Sequence, residues 1–381
     1  MNLDLFSPDA PGRLIPTIQG ATAFVPSPLP PKIDLAAVFS EYGSAMAGIG
    51  MLNAKMAQLG NPKLIIRPLQ RREALLSSAM EGTYTTSDEL ALFEIGADGA
   101  TKADTKEVFN YVTALTHSVS LMRELPICHR LIREAHDKLL SGLSQQRGGH
   151  KRPGEYKHDQ NWIGGVSPSQ ARFVPPPPAE TVEAMNQLEA FINRDAPEDF
   201  PPLIEAALVH YQFETIHPFA DGNGRVGRIL IPLVLLSRGL IKDAVFYPSA
   251  SLESKKDIYI DRMFDVSTKG DWTSWVRFFL KICQETCESS IEVVDKVLSL
   301  QLEYRERAMK EFRSNNVVIL IDHLFSSPVV STPIVMGLLN VTHRAARMTI
   351  GNLERIGVLE KMEGFNKPEY FVARPILRAG S

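Results

Sequence analysis

The sequence predicts a mainly α-helical protein, and three observations carry that expectation. Between residues 34 and 294 apolar residues recur at helical spacing, in segments closed by glycine or proline. Alternation of apolar and polar residues, the mark of a strand, is read in VLEKMEGFNKPEYFVA, residues 358–373, around an EGFNKP turn. Four consecutive prolines, Pro175 to Pro178, exclude both helix and central strand and mark an irregular passage within the helical run. A chain of 381 residues exceeds a typical single domain, so two or three domains are expected.

Taken in order, residues 1–33 are rich in proline (FVPSPLPPK) and are expected to be extended or poorly ordered. A helical region over 34–104 follows. LAAVFSEYGSAMAGIGMLNAKMAQL reads as one long helix, and Pro68 is placed as the first position of a second, LQRREALLSSAM, which Gly82 ends. A core over 105–298 carries helices at Thr105–Arg123, Pro126–Leu140, Ala179–Asn193, Pro202–Thr215, Val226–Arg238 and Asp271–Val294, with Ser141–Pro178 irregular. From 299 to 381 come VVILIDHLFSS, STPIVMGLLN and VTHRAARMTIGNLERIG, the last capped by Thr342 and stopped by Gly357, and then the alternating hairpin. Three helices and a hairpin form a winged helix-turn-helix pattern. His343, Arg344 and Arg347 on its third helix can face DNA phosphates or simply be solvated, so a DNA partner and a protein partner both stay open.

Composition narrows the class. Apolar residues are 44% and charged residues 22% of the chain, ordinary for a globular protein. A net charge of −3 argues against a protein dominated by nucleic-acid binding. Cys128, Cys283 and Cys287 lack zinc spacing; Cys283 and Cys287, four apart in a helical pattern, suit buried thiols, and a reducing cytoplasm fits. The N-terminus shows no secretory signal. No apolar stretch is expected to span a membrane, Ile229–Leu236 being the nearest and far too short.

The most informative stretch is HPFADGNGRVGR, His217 to Arg228. Gly222 and Gly224 allow positive φ and close backbone approach, so N–H groups can converge on an anion. The apolar run from Ile229 suggests a helix starting near Val226, whose N-terminus favours phosphate. Arg225 and Arg228 can fork onto successive phosphates. Asp221 is a hard oxygen ligand of the kind Mg²⁺ takes beside a polyphosphate, and His217 is the natural proton acceptor, its ordinary pKa near 6.5 suiting neutral pH. His210, His129, His136 and His158 have no ligand-like grouping, and no transition-metal site is expected.

The string matches the Fic-family signature HPFx[D/E]GNGRxxR at every fixed position. LIREAHDKLLSG, PGEYKHDQNWIGG and FVPPPP resemble that family's flap region, and EALLSSAMEGTYTTSDEL its N-terminal inhibitory segment, so the likeness covers roughly residues 35–295. The resemblance implies a Fic-type helical core with a small β-hairpin flap that transfers AMP from ATP to a hydroxyl of a target protein, releasing pyrophosphate. It implies His217 as base, Asp221 on Mg²⁺, and Gly222, Asn223, Gly224, Arg225, Val226, Gly227 and Arg228 around the phosphates. Trp162, Ile163, Gly164 and Gly165 would form a flap edge to which a target segment adds as a strand. Ser77, Glu81 and Gly82 match the inhibitory pattern [S/T]xxxE[G/N], with Glu81 placed to pair with Arg228. Ser254 is a nucleotide-contact candidate; the double tyrosine often found in the family's base pocket is not evident, and Met263 and Phe264 stand in its place. A homodimer and self-modification are compatible with the resemblance. Another donor, removal of AMP, or a DNA-binding regulator with a nucleotide-sensing core are the alternative readings.

Overall fold

The computed structural model describes residues 1–18, 20–59, 61–97, 102–144, 151–195, 200–365 and 367–380. Within the N-terminal segment, β1 (Gly12–Pro16) and β2 (Thr22–Pro26) pair antiparallel, Gly12 opposite Pro26. This corrects the expectation of a merely extended or poorly ordered segment. Phe24 is fully buried between the rings of Phe6 and Phe173, and its N–H donates to Val174 O at 2.9 Å. Burying that ring offsets the ordering cost, a signal masked by the surrounding prolines.

A 3₁₀ turn, Leu35–Val38, leads into α1 (Phe39–Ala57), whose stripe Ala45, Ile49, Leu52 and Met56 is buried. The helical stretch Leu35–Ala57, 23 residues with hydropathy 1.2, is long and apolar enough to cross a membrane by length and composition, contrary to expectation. Here α1 packs along a later helix and ties its polar ends to it through Arg277–Glu41 at 3.2 Å and Lys55–Asp295. The second helix, α2 (Lys63–Ala79), begins ahead of Pro68, which lies inside it. Buried Leu64 and Ile65 outweigh the one ladder bond that proline cannot donate.

Then follow α3 (Ser87–Glu94), opened by a Thr86–Glu89 capping box, α4 (Ala103–Leu121) and α5 (His129–Leu140). After the irregular passage come α6 (Pro178–Ile192), with proline in its first turn, and α7 (Pro202–Ile216), in which every residue from Leu203 onward is buried. α7 packs against α8 (Asn223–Ser237) at the centre of the core. Short α9 (Ser249–Glu253) and α10 (Lys256–Lys269) lead to α11 (Trp272–Glu311), a 40-residue helix. It was expected to end at Val294 and instead runs through the division expected at 298/299. Tyr304 and Ala308, four apart, are buried and carry it on.

The last region contains α12 (Asn315–Ser326), β3 (Val329–Ser331), α13 (Thr332–Leu339), α14 (His343–Arg355), β4 (Glu360–Lys361), β5 (Tyr370–Val372) and α15 (Arg374–Ala379). Thr342 Oγ1 accepts from Ala345 N–H at the start of α14, and Gly357 ends it at φ 72°. The expected hairpin gains a third strand, giving the order β3-β5-β4. One apolar core extends from Val38 on the turn before α1 to Ile376 on α15.

Candidate active site

The site forms where α7 ends and α8 begins. His217 closes α7 in the left-handed region, φ 50° and ψ 59°, its N–H donating to Phe213 O at 2.9 Å. Its Nδ1 lies 3.1 Å from the Glu214 carbonyl, which can only accept, so Nδ1 carries the hydrogen. Nε2 is therefore the imidazole's open lone pair. Burial lowers the His217 pKa to about 4, with the Lys157 charge adding to the shift, so the ring is neutral at pH 7.

Gly222, φ 76°, makes the turn into α8, and its N–H donates to Asp221 Oδ1 at 2.6 Å. α8 begins at Asn223, three residues earlier than expected, so Gly224 and Gly227 serve close approach within a helix. A Cβ on Gly224 would stand 2.4 Å from Glu81 Oε1, and one on Gly227 2.0 Å from Glu214 Oε1. Val226 is buried in the core. Asn223 uses both ends of its side chain on the Phe219 backbone, at 2.8 Å each, so it frames the loop and is turned away from a phosphate. Asp221 is exposed, with Arg225 Nη2 3.7 Å from its Oδ1. Its backbone carbonyl is held by His136 Nε2 at 3.0 Å; Gly154 N–H donates to His136 Nδ1 at 2.9 Å, which fixes that tautomer. His136 also stacks on Phe219, centroids 3.8 Å apart. It was expected to be bland, and only the folded chain brings it beneath the loop.

The two arginines part company. Arg228 Nε donates to Ser77 Oγ at 2.7 Å, and its Nη2 to Ser77 O at 2.9 Å and to Glu81 Oε1 at 2.7 Å. Burial pushes the Glu81 carboxyl up in pKa, but Arg228 more than offsets this and holds it below the ordinary value. Arg225, expected on the phosphates, is buried and pairs with Glu107 of α4, whose Oε1 also accepts from Thr83 Oγ1 at 3.0 Å. Both arginines are thus tied to the segment that ends α2, Arg228 directly and Arg225 through Glu107. Gly82, φ 81°, turns that segment, and Lys256 Nζ donates to Met80 O at 2.5 Å.

Around His217, Glu81, Gly224 and Arg228 lies a cleft of about 240 Å³, with an apolar side made by Ile163, Phe173, Ile260, Met263 and Phe264. Ile163 pairs with Phe173 through N–H to O bonds of 2.9 and 3.1 Å, and Gly164 and Gly165, φ 70° and 78°, turn the chain beyond it. Where a small β-hairpin flap was expected, the pairing is a single two-residue bridge. Trp162 is partly exposed beside it. Arg172 joins the flap to α10, bonding Asp261 at 2.5 Å and lying 4.8 Å from the Phe264 ring centre. Ser254 does not line the cleft; its hydroxyl donates to Ser251 O at 3.0 Å on the exposed end of α9. Glu214, missed in the sequence, lines the cleft with a buried Oε1 that has no hydrogen-bond partner, and burial raises its pKa to about 8.

An open imidazole lone pair, a helix N-terminus and a buried arginine around one cleft can hold a polyphosphate beside a proton acceptor. Comparison with known proteins places the chain in a family. The Fic/DOC family model matches residues 126–235 and the Fic/DOC family N-terminal model residues 39–120, together about half of the chain, and the chain belongs to this family. It is 27% identical over 216 residues to the "Protein adenylyltransferase Fic" of Drosophila willistoni, covering 56% of this chain and 40% of that protein. The protein of the same name from Drosophila melanogaster is 26% identical over the same length. The chain thus spans about two fifths of the curated relatives it matches. Among solved structures, a Fic family protein from Desulfovibrio desulfuricans G20 has a TM-score of 0.58 at 19% identity, over 91% of this chain and 98% of that one. A Fic domain containing signaling protein from Bacteroides thetaiotaomicron VPI-5482 has a TM-score of 0.51 at 22% identity, over 68% and 96%. These structures share the fold.

Proposed function

We propose that the chain is a protein adenylyltransferase, moving AMP from ATP to a serine, threonine or tyrosine hydroxyl of a target protein, and that Glu81 restrains it. The observation that carries this reading is the pairing of the open His217 Nε2 with Arg228 and the first turn of α8 around one cleft. The target hydroxyl gives its proton to His217 Nε2 as its oxygen bonds the α-phosphorus. The bond from that phosphorus to the bridging oxygen breaks, and pyrophosphate leaves. First-turn N–H groups of α8 and the Arg228 guanidinium would meet the negative charge, which makes catalysis largely positioning and electrostatics.

Asp221 fits Mg²⁺ as an exposed carboxylate at the mouth of the loop. Mg²⁺ beside a polyphosphate is typically held by one or two carboxylates and the substrate's own phosphates, a task Asp221 can fill. Such an ion would offset charge on the leaving pyrophosphate. The apolar side of the cleft suits the adenine, and the outer edge of the Ile163–Phe173 bridge suits an extended target segment.

Glu81 supports the restraint because it occupies Arg228 and lies against Gly224, where an anion would sit. As for the C-terminal region, which we read as a winged helix, three of its cations are paired with carboxylates. Arg347 and Lys361 pair with Glu369 at 2.6 and 2.5 Å, and Arg374 pairs with Glu360 and Asp88. That favours protein contacts over DNA. The test of the function is incubation with ATP and Mg²⁺ followed by intact-mass measurement. A gain of one AMP unit supports the reading; a gain of phosphate or UMP, with the matching donor, redirects it.

A further inference from the structure

Four successive carbonyls at the catalytic turn, Ile216 to Phe219, are all bonded by Lys157, by Asn161 four residues on, or by both. Lys157 Nζ donates to Ile216 O at 3.2 Å and His217 O at 2.9 Å, and Lys157 N–H donates to Pro218 O at 2.8 Å. Asn161 Nδ2 donates to His217 O at 3.0 Å and Phe219 O at 2.9 Å. The two residues also join each other, Lys157 Nζ to Asn161 Oδ1 at 2.8 Å. Lys157 is 5% exposed. We propose that Lys157 and Asn161 are positioning residues for the transfer reaction, holding His217 in its left-handed backbone so that Nε2 faces the cleft.

The need for such a clamp is physical. A non-glycine residue in the left-handed region is strained and persists only where its surroundings over-determine it. The His217 N–H is satisfied within α7, but its carbonyl points out of the helix and is fixed from the 157–161 segment. Burial drives the Lys157 pKa well down. Its three acceptors act the other way: a neutral amine has two hydrogens and would turn a lone pair on the third oxygen, whereas an ammonium satisfies all three. The negative end of α7 favours the same charged form. That cation stands behind the imidazole. The other charged or titratable groups lining the cleft with His217 are Glu81, Arg172, Glu214, Arg228, Lys256 and Tyr259. Of these Glu81 raises the His217 pKa, opposing Lys157.

Asn161 lies two residues before Ile163, so the flap edge and the proton acceptor belong to one rigid polar knot. A target segment docked along the outer edge of the Ile163–Phe173 bridge would then meet Nε2 at a fixed distance. This deepens the proposed function and rests on it for the word transfer, but its first test does not require activity.

The experiment is an NMR titration of the His217 imidazole, assigned by its loss in His217→Ala, in the wild type, Lys157→Met and Lys157→Arg. The account expects the His217 pKa to rise by about one unit in Lys157→Met, as a nearby like charge is removed, and to stay near the wild-type value in Lys157→Arg. An unchanged titration in a folded Lys157→Met overturns it. The second measurement is AMP transfer in a Glu81→Gly background, where Asn161→Ala should lower kcat by about 10- to 100-fold with ATP affinity within about twofold. Asn161→Ala carries no charge change and remains decisive where Lys157→Met does not fold; undiminished turnover there overturns the proposal. Absence of any transfer in Glu81→Gly itself would count against the proposed function, while the titration would still decide the role of Lys157.

Discussion

Replacing Glu81 with glycine removes a carboxylate 2.7 Å from Arg228 Nη2 and beside the first turn of α8. Two effects are lost together. A charge-assisted hydrogen bond contributes about 1.5–3 kcal/mol, and the lower end applies because the Glu81 side chain is 39% exposed. Repulsion between that carboxylate and an arriving phosphate adds to it, reduced by the same solvent. At about 1.4 kcal/mol per factor of ten, Glu81→Gly should raise AMP incorporation roughly 10- to 100-fold. Arg228 keeps both bonds to Ser77, so its side chain stays poised for phosphate rather than collapsing. Glu81→Asp shortens the arm by one methylene, weakens the 2.7 Å contact and should raise incorporation less. The assay is time-resolved incorporation of labelled AMP into the three proteins. Equal initial rates for wild type and Glu81→Gly, with both folded, would refute the reasoning and leave Glu81 a structural end to α2.

His217→Ala should abolish transfer, a loss of about 10²–10⁴-fold, while ATP binding measured by calorimetry persists. Because the imidazole is already neutral at pH 7, the acid limb of the Glu81→Gly rate profile should fall well below pH 6.5; a half-maximal rate at or above 6.5 contradicts the burial argument. Burial likewise lowers His136 to about 4 and His210 to about 3, so the folded protein binds fewer protons there than the unfolded chain. Their contribution is present above pH 6.5 and lost as pH falls toward 4, on the order of 3 kcal/mol each, and the melting temperature should drop across that window. Gly227→Ala should destabilise by forcing a methyl onto Glu214 Oε1, and Glu214→Ala in the same chain should restore part of the loss in thermal melts.

The twelve residues from His217 to Arg228 were legible because a loop between two helices keeps its functional groups contiguous. Ser77 and Glu81 were legible for the same reason, one helical turn apart on a helix that glycine stops. What the sequence hid is long-range. Nothing near Arg225 announces Glu107 on α4, and so its guanidinium was expected on phosphate. His136, Lys157 and Glu214 carry side chains whose meaning depends on burial beneath a loop that other elements build. Asn223 looked like a phosphate donor because its type suits that task, yet both its polar ends are consumed in closing the loop. The extension of α11 escaped because its second half buries only one side, leaving the charged face of LEYRERAMKE to dominate the pattern. β1 and β2 escaped because proline-rich composition outweighed a four-residue apolar run.

The central claim is that this chain transfers AMP and that Glu81 holds it back. Intact-mass analysis of Glu81→Gly after incubation with ATP and Mg²⁺, beside the Glu81→Gly, His217→Ala double variant, tests it most directly. The account predicts a gain of one AMP unit on the first protein, or on an added hydroxyl-bearing target, and none with the double variant. No gain with Glu81→Gly while ATP is bound, or an equal gain in both, would contradict it.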